Sequence, residues 1–292
     1  MTILTGFTQE AGVTGHVNDR RSPPRRRPVV FTVLVFASSV PLWVLGSVVG
    51  RLPIPIDVPL SALQAFCPLL VAVILVRWDD GPGGARRLLR RLVDFGGPAR
   101  WYLVALLLMP AVLTTSYLYL RLMGAEIPCW QVSPGTAALL CGALLTGAIG
   151  EEVGWSGYLI DALPRRWSAL ASALVVGTIW AVWHVVAWYA QSGHTLAWTT
   201  GQFVGSVAGR VLVVWLYNQV GGAVPIAVLH HAMINVSESL FPRYGSHYDP
   251  VSTAVILVLV AGAVTLLWGP RTLSSWWRSA AGSRSARRRH DG

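Results

Sequence analysis

The sequence predicts an all-α protein, a polytopic transmembrane bundle of about eight spans, and three observations carry that prediction. The 292 residues are 53% hydrophobic and only 12% charged, whereas a soluble domain of this length carries about twice that share of charge. Mean hydropathy is +0.53, and several apolar runs approach the roughly 20 residues that a helix needs to cross a bilayer. The basic residues are all arginine and cluster at the ends of the apolar runs. That distribution reports membrane topology, so the net charge of +10 is not read as a nucleic-acid footprint and no nucleic-acid partner is expected.

Residues 1–28 are polar and end in an arginine cluster with no short apolar stretch before it. They read as a disordered cytoplasmic arm, without the pattern of a cleaved signal peptide. The first span covers 29–50 and ends in a proline-broken turn over 51–57. A second covers 59–76. Asp79 and Asp80, beside Gly-Pro-Gly-Gly, read as turn residues. The spacing of Arg86, Arg87, Arg90 and Arg91 predicts an amphipathic helix on an anionic membrane face.

A third span, 101–123, carries Pro110 as a candidate kink. A fourth, 135–163, holds adjacent glutamates, Glu151 and Glu152, and is longer than the hydrocarbon core, which places them in its cytoplasmic half. The fifth, 168–189, is followed by an uncharged polar loop over 191–200. Spans over 203–217, 223–240 and 253–268 complete the bundle, with Gly201, Gly205 and Gly209 as a small-residue packing stripe. A disordered arginine-rich tail runs over 271–292. Placing the N-terminus inside puts every large arginine cluster inside, so both termini are expected to be cytoplasmic, in a bacterial-type cell membrane. Cys67, Cys129 and Cys141 are far apart and read as inert packing residues.

Charged and polar residues within spans are costly and call for a reason. Glu151 and Glu152 lie on the fourth span and His184 on the fifth, where Trp180 shares its face at i, i+4; His231 and Asn235 are one turn apart on the seventh, and His230 points about 100° away from them. Three chemistries fit such a set. A glutamate could activate water while imidazole and amide groups stabilise an oxyanion. Glu151, His184 and His231 could bind a metal such as zinc with an open position for water. The cluster could also be the proton or ion relay of a transporter. The His-Glu-x-x-His signature of zinc proteases is absent, as are the inverted repeats and paired broken helices common in transporters.

At these residues the chain resembles the CAAX-protease and bacteriocin-processing (CPBP) family, also called the abortive-infection or type II CAAX prenyl endopeptidase family. Glu151-Glu152-x-x-x-Ser156 is similar to its Glu-Glu-x-x-x-Arg element, Trp180-x-x-x-His184 to Phe-x-x-x-His, and His231-x-x-x-Asn235 to His-x-x-x-Asn/Asp. The likeness places a protease-like core over about 135–240 within a bundle of 29–270. It implies an intramembrane endopeptidase, historically classed as a metalloendopeptidase, in which Glu151 activates water and Glu152 supports it. His184 would help hold the water, and His231 with Asn235 would form the oxyanion site. No metal cofactor is expected; were one bound, zinc on Glu151, His184 and His231 is the set. The partners implied are membrane lipids and a membrane-associated peptide or protein substrate, prenylation not being required, approached through a cavity opening toward the cytoplasmic leaflet.

One departure stands out. Ser156 occupies the position of the family's arginine, and Arg210, near the middle of the sixth span, is the candidate to supply the missing charge. The alternative for Arg210 is snorkelling or a helix-end carbonyl. The same departure makes a catalytically impaired member, acting as a membrane immunity or scaffold protein, the rival to an enzyme; a transporter is the weaker rival.

Overall fold

A computed structural model describes residues 26–50, 59–163 and 166–274. Most of the expected N-terminal arm, the turn at 51–57, Pro164, Arg165 and the tail beyond 274 lie outside the described residues. Among those described, the chain is a helical bundle. Its helices are α1 (Pro28–Val49), α2 (Cys67–Asp80), α3 (Pro82–Arg90), α4 (Arg100–Leu122), α5 (Pro134–Gly154), α6 (Ala169–Val185), α7 (Leu196–Gln219), α8 (Val224–Leu240) and α9 (Pro250–Trp268). A 3₁₀ stretch, Leu60–Phe66, leads into α2. Wider π-helical turns extend α5 over Trp155–Ile160 and α6 over Val186–Gln191.

Local chemistry accounts for several helix starts. The hydroxyls of Ser133, Ser168 and Thr195 accept from the backbone N–H groups of Thr136, Ala171 and Trp198, and the Asp249 carboxylate accepts from Val251 and Ser252. These side chains take up N–H groups that have no partner within their own helix. The Thr195 cap starts α7 at Leu196, so the expected loop over 191–200 is shorter and the sixth span longer than the polar composition suggested. Asp79 and Asp80 are likewise the last residues of α2, with the reversal at Gly81, whose φ is +72°. Asp79 pairs with Arg27 at 2.8 Å and Asp80 with Arg26 at 3.1 Å. In α3, Leu88 is buried while Arg86, Arg87 and Arg90 are exposed, the amphipathic arrangement expected there.

Among the described residues, six helical segments are long and apolar enough to cross a membrane: Pro28–Val49, Leu60–Asp80, Arg100–Leu122, Pro134–Ile160, Ala169–Ala190 and Pro250–Trp268. The chain is an integral membrane protein. Helices α7 and α8 are the two expected spans outside that set, for different reasons. Helix α8 has 17 residues; α7 has 24 but carries Gln202, Arg210 and Asn218. Every residue of α7 from Ala208 to Tyr217 is buried, so this helix meets protein and can be more polar than a lipid-facing one.

Helix α7 packs against α9 and α6, α8 against α5 and α4, and α5 also against α2. The small-residue stripe on α7 lies in these contacts. A Cβ at Gly201 would stand 2.9 Å from backbone atoms of Pro250 and Val251, and at Gly205 and Gly209 it would be 3.6–3.7 Å from Ala254, Leu257 and Ile234. A close approach also occurs at Gly154 of α5, where a Cβ would fall 2.5 Å from Cβ of Pro68. All three cysteines are free.

Candidate active site

The end of α5 brings its two carboxylates into the bundle interior in different surroundings. Glu152 is fully buried. Nη1 of Arg210 donates to both of its oxygens, at 2.8 and 2.9 Å, and Nδ1 of His231 lies 2.8 Å from Oε1. The hydroxyl of Ser156, one turn along α5, donates to Oε2. Arg210 thus neither snorkels nor caps a helix end. The guanidinium carbon also lies 5.0 Å from the centre of the Trp180 ring, a cation–π distance.

Glu151, 5% exposed, accepts the indole N–H of Trp180 at 2.5 Å. Its Oε1 is 3.9 Å from Nε2 of His184, beyond direct hydrogen bonding and a separation at which a bridging water is to be considered. The other ring nitrogen of His184, Nδ1, is 2.9 Å from the Trp180 carbonyl. A backbone carbonyl can only accept, so Nδ1 carries the proton and Nε2 presents a lone pair toward Glu151.

The two halves meet at Trp180, whose ring is edge-on to both His184 (4.6 Å) and His231 (5.3 Å). Nδ1 of His231 is committed to Glu152, and its Nε2 is buried without a hydrogen-bond partner. His230 turns away, as its register predicted, toward the carbonyl of Ala105 on α4 at 3.1 Å. Asn235 and His184 line one cavity of about 80 Å³. Glu151, Glu152 and His231 stand beside that cavity without lining it, so the expected residues form two connected layers around Trp180.

The cavity also discloses residues that sequence reasoning passed over. Its far end is lined by Gln202, Glu238 and Tyr248. Gln202 Nε2 donates to Glu238 Oε2 at 3.2 Å, and the Tyr248 hydroxyl lies 2.6 Å from Gln202 Oε1 and 3.2 Å from Glu238 Oε1. Burial and the nearby Glu238 carboxylate push the Tyr248 hydroxyl well above its usual range, so it stays a donor. The signal was present in the spacing. Gln202, Ser206 and Arg210 recur every fourth residue on α7, and Glu238 follows His231 and Asn235 at i+7 and i+3 on α8, each set along one helix face.

The direction of this cavity corrects an expectation. It extends toward the C-terminal ends of α6 and α8 and the N-terminal ends of α7 and α9, away from the arginine clusters. At the arginine-rich end, Arg91 donates to Gly157 O (2.7 Å), Asp161 Oδ2 (2.6 Å) and Gly222 O (3.1 Å), and also to the Tyr217 hydroxyl. Burial opposes the Arg91 charge, yet Tyr217 and Asp161 hold its pKa above the ordinary arginine value. A depression of about 880 Å³ exists at that end, but Glu151, Glu152, His184, His231 and Asn235 do not line it.

Among the described residues, no three His, Cys, Asp or Glu side chains are grouped to hold a metal ion. Glu151, His184 and His231 are not grouped as a three-ligand zinc site in this arrangement.

Residues 133–237 match the family model for "Type II CAAX prenyl endopeptidase Rce1-like". All three motifs lie in that stretch. Over that stretch the chain is similar to the type II CAAX prenyl endopeptidase family. A relative from Methanococcus maripaludis, named CAAX prenyl protease 2, is 25% identical over 175 residues, or 56% of this chain. The aligned part spans 64% of that protein's length. Ser156 stands where the similar family motif has arginine, and the cation beside Glu152 comes from α7.

Proposed function

We propose that this chain is an intramembrane endopeptidase that hydrolyses a peptide bond of a membrane-associated substrate with a water activated by Glu151. The observation that carries the reading is the division of labour between the adjacent carboxylates. Glu152 is held by Arg210, His231 and Ser156, and so is bound into the scaffold. Glu151 is oriented by the Trp180 N–H and faces the His184 lone pair across a gap, the disposition of a base sharing a water with an imidazole.

In this reading the water oxygen attacks the carbonyl carbon while its proton passes to Glu151. The negative charge that develops on the carbonyl oxygen is met by the Asn235 amide and by His231 as an imidazolium, which keeps Nδ1–H on Glu152 and has Nε2–H as its second donor. The Glu151 proton then passes to the departing amine as the C–N bond breaks. No step is routed through a metal, for which the side chains do not fit.

The name of the archaeal relative and the matched family point to peptides near a prenylated C-terminus as one substrate class; other membrane-anchored peptides use the same chemistry. The arginine distribution supports a topology with both termini cytoplasmic, in a bacterial-type membrane. Ser156 is the feature that favours an inactive scaffold, and the placement of Arg210 on Glu152 supports the enzyme reading instead.

The test uses the purified chain in liposomes with lipid-anchored peptides, comparing wild type with Glu151→Gln. Loss of a positioned base is expected to cost about 10²- to 10⁴-fold in turnover. Equal turnover by the two proteins would overturn the glutamate mechanism.

A further inference from the structure

We propose that water reaches the Glu151 centre through the polar cavity from the arginine-poor end of the bundle, and that Glu238 is the positioning residue that holds this water. The proposal rests on the peptidase reading for its kinetic consequence, but the passage itself is observable without any cleavage.

Each peptide bond hydrolysed consumes one water, and the reacting layer lies in the interior. Glu152 and His231 are 0–1% exposed and Glu151 5%. The His184 side chain is 15% exposed and lines the cavity, so water approaches the layer from the cavity side. A volume of about 80 Å³ accommodates two or three waters at about 30 Å³ each, and a buried water is stable where it finds two to four polar partners. His184 and Asn235 supply them at the inner end, Ser206 along the wall, and Gln202, Glu238 and Tyr248 at the outer end.

Counting protons identifies Glu238 as the acceptor with spare capacity. The Tyr248 hydroxyl has one hydrogen, and its nearer acceptor is Gln202 Oε1 at 2.6 Å rather than Glu238 Oε1 at 3.2 Å. Gln202 gives Glu238 one N–H at 3.2 Å. Ionised or protonated, a carboxyl group keeps lone-pair sites beyond these two contacts, so accepting capacity remains for water. Glu238 is only half-buried, and it follows Asn235 by three residues along one helix face. It acts through water and does not touch the scissile bond.

The entrance is tested in a chain with Cys67, Cys129 and Cys141 replaced by alanine. Single cysteines are placed at Gln202, Ser206 and Glu238, with lipid-facing Leu259, 67% exposed, as the control. A charged, membrane-impermeant methanethiosulfonate is added from each side of sealed vesicles. The three cavity positions are expected to react from the arginine-poor side, and Leu259→Cys not to react. Unreactive Ser206→Cys and Glu238→Cys, or reaction only from the arginine-rich side, would overturn the passage.

The role of Glu238 is tested by kinetics. Glu238→Leu is expected to lower kcat by about tenfold or more with KM within about twofold, and Glu238→Gln, which still binds water, to restore most of the rate. A purely structural role would move KM and the unfolding temperature together and would show no rescue by glutamine; that result, or an unchanged kcat in Glu238→Leu, refutes the assignment. If the wild-type chain cleaves no peptide, the peptidase reading fails while the labelling still decides the passage.

Discussion

Nη1 of Arg210 stands within 2.9 Å of both carboxylate oxygens of Glu152, so α7 supplies to α5 the cation that the family motif carries within α5 itself. A single nitrogen bridges the two oxygens, while Nε of Arg210 has no hydrogen-bond partner. Arg210→Leu leaves a buried carboxylate unpaired and is expected to cost about 3–5 kcal/mol of stability, read as a lowered unfolding temperature in detergent. Arg210→Lys is expected to lose much less, because one point charge can occupy the bridging position. Equal losses in the two variants would mean that the guanidinium shape matters more than its charge.

Moving the cation back provides a sharper comparison. Ser156 is 1% exposed and already touches Glu152, so Ser156→Arg alone crowds a second guanidinium into an occupied space and lowers activity and stability. Combined with Arg210→Ser, the arginine at 156 has a carboxylate to meet. The double variant is expected to be more stable than the sum of the single losses by about 0.5–3 kcal/mol, the usual range of coupling between residues in contact. A double-mutant cycle measured by thermal unfolding decides this, and strict additivity would show that the two positions are not interchangeable.

Trp180 joins the two layers, donating to Glu151 through Nε1 and facing both histidines. Trp180→Phe keeps an aromatic ring but removes the donor. Turnover is expected to fall by about tenfold, the worth of one hydrogen bond to a charged group, with KM little changed. A change confined to KM, in steady-state cleavage by proteoliposomes, would assign the ring to substrate binding instead.

Gly177 of α6 marks where α7 comes close: a Cβ there would stand 3.0 Å from Cβ of Arg210 and 3.2 Å from Cα of Val207. Gly177→Ala is expected to cost about 1–3 kcal/mol through overpacking and to weaken activity by displacing Arg210 from Glu152. Gly205→Ala, whose new Cβ would meet Ala254 and Leu257 of α9 at 3.6 Å, serves as the mild control at the other face of α7. Comparable unfolding temperatures for the two variants would contradict the close approach at Gly177.

Much of this was legible in the chain, and the parts that were not have physical reasons. Long apolar runs set most of the helices, because a lipid-facing helix must be apolar along its length. The motif residues were visible because polar side chains within such runs are rare. Helix α7 was placed seven residues short because its start depends on one threonine hydroxyl, and because a central helix may be polar where it meets protein. Glu238 and Gln202 belong to no motif of their own; their significance lies in helical spacing relative to His231 and Arg210. The direction of the cavity could not be read from arginine counts, since those report where the loops lie and not where the interior is open.

The division of one ion pair between α5 and α7 also bears on how the protein is made. Helix α5 leaves the ribosome first, and α7 is not among the segments apolar enough to cross on their own account. An arginine at the centre of a spanning helix costs about 2.5–3.5 kcal/mol on insertion. The carboxylate of Glu152, already waiting in the bilayer, offsets that cost when α7 enters. Membrane integration of the second half of the bundle is therefore conditional on the first, and a Glu152→Leu chain should leave α7 stranded during synthesis, before any question of catalysis arises.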